Sequence, residues 1–247
     1  MISLPRLGGV PYLNARPLLH GLDAELATPA ILSERFAAGR YDAALLPVYE
    51  TLRLPAARMV DGFGIGSLGH VHSVVVVHRR PLEQVAEIVM DPASRTSANL
   101  LRVLLARRVQ ISPRLVEASG DPDAARLIIG DPALEFQRRM GPSWRAFDLG
   151  QAWHEWTGLP FVFAVWTLAK NAPPQTGAIL REAAQAGLAA RQEIASREPD
   201  PAAALDYLTR SIRYPIGESE KQAIRKFREL LIGCSLLRAD DPEPDFV

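Results

Sequence analysis

Strand-like runs alternate with helical ones through the first two thirds of the chain, and this pattern constrains the fold more than any other feature. Strands are expected at Arg6–Val10, Asp42–Leu46, Val74–Val77, Glu87–Met90, Arg114–Ala118, Leu127–Ile129 and Phe161–Trp166. Helices are expected between them at Ala15–His20, Ser33–Ala38, Val48–Leu52, Ser97–Arg108, Pro132–Met140 and Leu149–Trp156. Such alternation predicts an α/β fold with mostly parallel sheet, because neighbouring parallel strands need a crossover that a helix supplies. From Gln175 the pattern turns wholly helical, over Gly177–Ser196, Pro201–Arg210 and Glu218–Ile232. The acidic, proline-containing tail Asp240–Val247 is expected to fray.

Two near-continuous apolar runs, Val74–Val77 and Phe161–Trp166, bracket a βα segment of about 80 residues, enough for a lobe but small for an independent domain. The expectation is two lobes joined by two crossings: residues 1–78 begin the first lobe, 79–162 form the second, and 163–247 return to the first. A ligand in such a protein lies in the cleft where strand ends and helix starts from both lobes converge.

Charge narrows the partners. The 247 residues carry 28 Lys+Arg against 28 Asp+Glu, so no global field draws the chain to nucleic acid or an acidic membrane, and a small molecule is the expected partner. Met1–Gly9 lacks the basic segment and apolar core of an export signal, and Leu159–Ala169 is too short to span a bilayer, so a cytoplasmic location is expected. The single cysteine, Cys234, excludes an internal disulfide and a Cys-rich metal site. Gly62-Phe-Gly-Ile-Gly66 lacks the third glycine of a dinucleotide fingerprint, and neither a Walker loop nor a G-x-S-x-G elbow is present. His70 and His72 would share one face of a strand edge as a metal pair might, but no third ligand follows at a suggestive spacing. No metal and no cofactor are expected.

Ser94-Arg-Thr-Ser97, between the apolar Glu87–Asp91 and the helix that follows, has the chemistry of an anion site. Free N–H groups at a helix start face the ligand, the dipole favours negative charge, and hydroxyls add charge-assisted hydrogen bonds. A small carboxylate or phosphate is the ligand this implies; the alternative is that the hydroxyls only cap their own helix. Asn14 could cap a helix from Ala15 in the same way, and Ser73 could be a strand-start hydroxyl satisfied by backbone. Asp131, between Gly130 and Pro132, is placed to cap its helix and order the cleft wall. Arg16 and Arg95 are read as solvated charges.

Val10-Pro-Tyr-Leu-Asn-Ala-Arg-Pro-Leu18 resembles the opening motif of the chorismate dehydratases of the futalosine route to menaquinone. Four further segments agree with that family in order and spacing: Asp42–Glu50, Ser94–Leu100, Ile129–Leu134 and Asp148–Trp166. The resemblance covers Val10 to Trp166, and the C-terminal helices match only in general character. It implies a two-lobed fold similar to type II periplasmic binding proteins, with the ligand cleft between lobes, and a cofactor-free, metal-free loss of water from chorismate. By the same resemblance Asn14 and Ser73 face the reacting ring as catalytic residues. Ser94, Thr96 and Ser97 take a substrate carboxylate, and Asp131 belongs to the substrate-binding wall. The proton acceptor is left open between the substrate's own enolpyruvyl carboxylate and a serine made basic by a partner. Two other functions suit the same cleft: the related dihydroxynaphthoate synthase and a non-catalytic small-carboxylate binder. Tyr12-Leu-Asn14 and Thr157–Phe161 favour the dehydratase. Oligomeric state is not encoded in these motifs.

Overall fold

Val74–His78 (β5) consists of four valines and a histidine, all buried, as suits β-branched side chains in a central strand. It pairs antiparallel with Ala125–Ile129 (β8) on one side and Arg145–Asp148 (β9) on the other. Beyond β8 lie Glu87–Val89 (β6) and Arg114–Val116 (β7), both parallel, which completes a sheet of order β7-β6-β8-β5-β9. The other sheet contains Leu7–Gly9 (β1), Ala24–Leu26 (β2), Ala43–Pro47 (β3), Arg58–Ser67 (β4), Phe161–Leu168 (β10) and Arg213–Ile216 (β11), in the order β11-β4-β10-β3-β1-β2. The computed structural model describes residues 4–92 and 95–247.

Each sheet centres one lobe, and the pairing corrects the expected boundary. Val74–His78 belongs to the second sheet, so the first crossing lies between Ser67 and Val74 rather than after residue 78. The return crossing lies between Thr157 and Phe161, where β10 enters the first sheet. The sheets are also mixed rather than mostly parallel. β1, β3, β6 and β8 run parallel with their C-terminal ends toward the cleft residues that follow them. A strand entering a lobe from the cleft runs the opposite way, and both crossing strands do: β5 against β8 and β9, and β10 against β3 and β4.

Helices cover the faces: Pro29–Ala37 (α1), Val48–Thr51 (α2), Arg95–Leu104 (α3), Asp131–Arg139 (α4), Leu149–Thr157 (α5), Thr176–Ala189 (α6), Arg191–Ser196 (α7), Pro201–Asp206 (α8) and Glu218–Gly233 (α9). Leu13–Leu19, expected as a helix from Ala15, is a 3-10 turn, consistent with Pro17 in its interior. Trp153 of α5, fully buried, meets Phe161 and Phe227 edge to face and donates its indole N–H to the Pro160 carbonyl at 2.9 Å. No helix among the described residues is long and apolar enough to cross a membrane.

Four strands have no clear signal in the sequence. β4 contains Gly62, Gly64 and Gly66, which weaken a strand on propensity. Here they allow close approach: a Cβ on Gly64 would lie 2.8 Å from the Ala164 carbonyl, and one on Gly66 2.7 Å from that of Phe161. β2, β9 and β11 have only three or four residues each. The tail does not fray, because Met59 N–H donates to the Asp245 carbonyl at 2.7 Å and Val247 N–H to that of Met59 at 2.9 Å.

Asp148 holds the crossings together. Its buried carboxylate caps α5 through Gln151 N–H at 3.0 Å and accepts Val71 N–H at 3.0 Å and His72 N–H at 2.8 Å. His72 sits at φ +60°, a left-handed conformation unusual for a non-glycine residue, and these bonds fix it there. Asp148→Ala removes a helix cap and leaves two crossing amides without their acceptor, so unfolding in urea should show a loss of about 2–4 kcal/mol. A loss under about 1 kcal/mol would mean that other acceptors satisfy these amides.

Candidate functional site

A cavity opens where the strand ends of the two lobes meet. The first lobe contributes Tyr12, Asn14 and Pro47, and the second contributes Ser73, Gly130 and the first turn of α3. Much of the remaining wall is apolar, including Val10, Leu45, Ile65, Val74, Ile129 and Phe163. This suits an organic ligand held by a few directed polar groups.

Asn14 does not cap a helix. Its Nδ2 donates to the Tyr207 hydroxyl at 3.1 Å, while its Oδ1 is buried without a partner among the described residues. Ser73 is fully buried at the entry to β5, and its Oγ accepts the Tyr207 O–H at 2.7 Å. Its backbone is fixed as well, with its N–H on the Val71 carbonyl and its carbonyl accepting Gly130 N–H. The structure thus brings Asn14 and Ser73, 59 positions apart in sequence and in different lobes, to either side of one phenol.

Thr96 and Ser97 are buried at the start of α3 and line the same cavity. Thr96 Oγ1 accepts the Tyr49 N–H at 3.0 Å, which leaves its own O–H as a donor. Ser94 lies outside the described residues. Arg95, read from sequence as a solvated charge, also lines the cavity, with its Nε 3.9 Å from Glu50 Oε1. Arg16, by contrast, is engaged by Glu198.

Asp131 is not among the residues that line this cavity, and it does not cap α4, whose N-cap is Gly130 without a side-chain bond. Its carboxylate reaches across the cleft to Leu13 N–H, at 3.1 and 3.3 Å. Beside it, the Tyr12 ring lies so close to Gly130 that a Cβ there would come within 2.9 Å of it. Gly130 also has φ +65°, so only glycine suits this contact. Asp131 therefore links the lobes, and it lines a neighbouring cleft with Leu13, His72 and Tyr207. Tyr207 had no motif to mark it, and Tyr12, though inside the opening motif, was given no role of its own. Tyr207 lies in the C-terminal helical region, where family resemblance is only general.

His70, His72 and Asp148 bring ligand atoms within 4.8 Å of one another, supplying the third donor that sequence spacing lacked. Both Asp148 oxygens, however, already accept two backbone N–H contacts each, Oδ1 from Val71 and Gln151 and Oδ2 from Val71 and His72. The carboxylate is committed to the crossings, and the exposed imidazoles stack on each other.

Fold and cleft together define a two-lobed ligand-binding architecture of the periplasmic-binding-protein type. An Archaeoglobus fulgidus protein of known structure aligns over 94% of this chain and 98% of its own, with a TM-score of 0.72 and 15% identity. The alkanesulfonate-binding protein SsuA from Xanthomonas axonopodis pv. citri, bound to MOPS, aligns over 96% and 94% with a TM-score of 0.63 and 14% identity. A Candida albicans gene product described as exhibiting the generic periplasmic binding protein fold gives 0.63 at 10% identity over 97% and 92%. At such identities the likeness is one of fold. Residues 5–232 match the family described as menaquinone biosynthesis, and the chain belongs to that family. It is 29% identical over 258 aligned residues, 94% of each chain, to a chorismate dehydratase of Thermus thermophilus. A chorismate dehydratase of Campylobacter jejuni is 32% identical over 157 residues, 62% of this chain and 58% of that protein.

Burial raises the pKa of Asp131 more than the Leu13 amide and Arg16 lower it. A carboxyl with a raised folded pKa binds its proton more tightly in the native state, so stability falls as pH rises from the unfolded value through the folded one. Asp131→Asn keeps an acceptor for Leu13 without the buried charge. It should therefore match or exceed the wild-type urea midpoint at pH 7, and the wild type should lose ground to it on going from pH 4 to neutrality. A variant clearly less stable at pH 7 would show that the charge itself binds the lobes.

Proposed function

We propose that this chain is a chorismate dehydratase, a hydro-lyase that eliminates water from chorismate to give 3-[(1-carboxyvinyl)oxy]benzoate. The observation that carries the reading is the meeting of Asn14 and Ser73 at a cavity that also holds Arg95, Thr96 and Ser97. Membership of a menaquinone biosynthesis family and full-length similarity to a chorismate dehydratase support it. Biosynthetic chemistry on chorismate fits a cytoplasmic location.

Chorismate carries two carboxylates on a small ring. The hydroxyls of Thr96 and Ser97 and the Arg95 guanidinium supply donors for one of them, strengthened by the helix start from which they project. Asn14 and Ser73 are then the polar groups available to the ring. The reaction takes a proton from the carbon beside the one bearing the ring hydroxyl; the C–H electron pair becomes the last ring π bond as the C–O bond breaks, and the acceptor passes the proton to the departing oxygen, which leaves as water. Ser73 serves as a hydrogen-bond donor to the departing oxygen. Among the described residues lining the cavity there is no Asp, Glu, His or Lys. That composition supports the substrate's enolpyruvyl carboxylate as proton acceptor, with the protein holding the geometry in which the transfer occurs.

Purified protein incubated with chorismate should produce an aromatic enolpyruvyl ether lighter than the substrate by one water, followed by absorbance and mass. Bound but unchanged chorismate would favour a small-carboxylate binder. Asn14→Ala and Ser73→Ala should stay folded, still bind chorismate, and turn over at least about a hundredfold more slowly, as when a group acting in the transition state is removed. Near-normal turnover in either would make that residue structural.

Thr96→Ala and Ser97→Ala should act on binding instead, because a carboxylate is present before and after the reaction. One charge-assisted hydrogen bond is worth roughly 1.5–3 kcal/mol, so KM should rise on the order of ten- to a hundredfold. An unchanged KM in both variants would mean that the hydroxyls only brace α3.

A further inference from the structure

Tyr207 lies within a π-helical stretch, Tyr207–Ser211, that follows α8, and its side chain is buried between the lobes. A phenol has one proton to donate. Here it goes to Ser73 Oγ at 2.7 Å, and the phenol oxygen accepts Asn14 Nδ2 at 3.1 Å. The neighbouring Tyr214, also buried, donates its O–H to the Asn14 backbone carbonyl at 3.0 Å. The C-terminal segment thus grips Asn14 at both side chain and backbone.

We propose that Tyr207 is a positioning residue that decides which atoms Asn14 and Ser73 present to the substrate. With Nδ2 held by the phenol, the buried and unpartnered Oδ1 of Asn14 is the atom left for a ligand, and it is an acceptor. With its oxygen accepting from the phenol, Ser73 keeps its own O–H as a donor. One acceptor and one donor side by side suit a hydroxyl, which offers a proton to Asn14 and an oxygen to Ser73. In a dehydration that hydroxyl is the leaving group. Burial raises the phenol pKa well above its ordinary value, so Tyr207 stays protonated and the polarity of the chain is constant across the working pH range.

The inference rests on the chorismate reading, and the test separates the two. Tyr207→Phe keeps the ring and removes the hydroxyl. Its kcat should fall about ten- to a hundredfold while KM changes less than about threefold, because the hydroxyl grip matters most as the bond breaks. In a Ser73→Ala background the same substitution should cost clearly less than in the wild type, since one of the two groups it positions is gone. Full multiplicative loss in that cycle, or wild-type kcat in Tyr207→Phe, overturns the inference. If Ser73→Ala and Asn14→Ala are slow while Tyr207→Phe is not, Tyr207 alone is misassigned. If the wild type does not convert chorismate, the underlying reading falls and this one with it. Should Tyr207→Phe not fold, 3-fluorotyrosine placed at 207 retains ring and hydroxyl while strengthening the donor and weakening the acceptor. It should shift kcat severalfold at unchanged KM, and an unmoved kcat overturns the proposal.

Discussion

The geometry of the cleft depends on one buried carboxylate. Asp148 accepts backbone N–H groups from Val71, His72 and Gln151, and so joins the outgoing crossing to the start of α5, which leads into the return crossing. A backbone that passes between lobes has no sheet partner at that point, and its buried amides need another acceptor. Asp148 supplies it. The bend that results carries His72 in a left-handed conformation and delivers Ser73, the next residue, to the cavity wall. Gln137 of α4 also donates to the His72 carbonyl, so the bend is held from the second lobe as well.

Strand direction explains why the polar groups collect where they do. β1, β3, β6 and β8 direct their C-terminal ends at the cleft, and the segments after them supply Tyr12 and Asn14, Tyr49, the start of α3, and Gly130 with Asp131. Helix starts and free backbone N–H groups are concentrated there for the same reason. The crossing strands enter from that side and run away from it, and so bring Ser73, before β5, and Phe163 and Ala164 of β10 to the cavity. Two sheets with these directions make a site that neither lobe could form alone.

The site combines strong hydrogen bonding with little acid–base capacity. Its hydroxyls, amide and guanidinium can hold carboxylates and orient a ring, while three acids near it are engaged by other groups. Asp148 holds the crossings, Asp131 the Leu13 amide, and Glu198 the Arg16 guanidinium.

By itself the sequence determined the α/β alternation and the residue types at the cleft, because β-branched runs and helix-start hydroxyls act over a few neighbouring positions. Asn14, Ser73, Thr96 and Ser97 were legible as a set only through motif resemblance, and the tertiary structure places all four on one cavity. Strand β4 was hidden because its glycines answer to the carbonyls of β10, which no local propensity reports. Asp131 was misread as a cap because its partner, Leu13, is 118 positions away. Arg95, half exposed as a solvated charge would be, is placed at the cavity only by the fold, and Tyr207 is marked only by its bonds to residues 193 and 134 positions distant. Local chemistry is written in neighbouring residues; which hydrogen-bonding groups share a partner depends on how the chain returns to itself, and only the tertiary structure decides that.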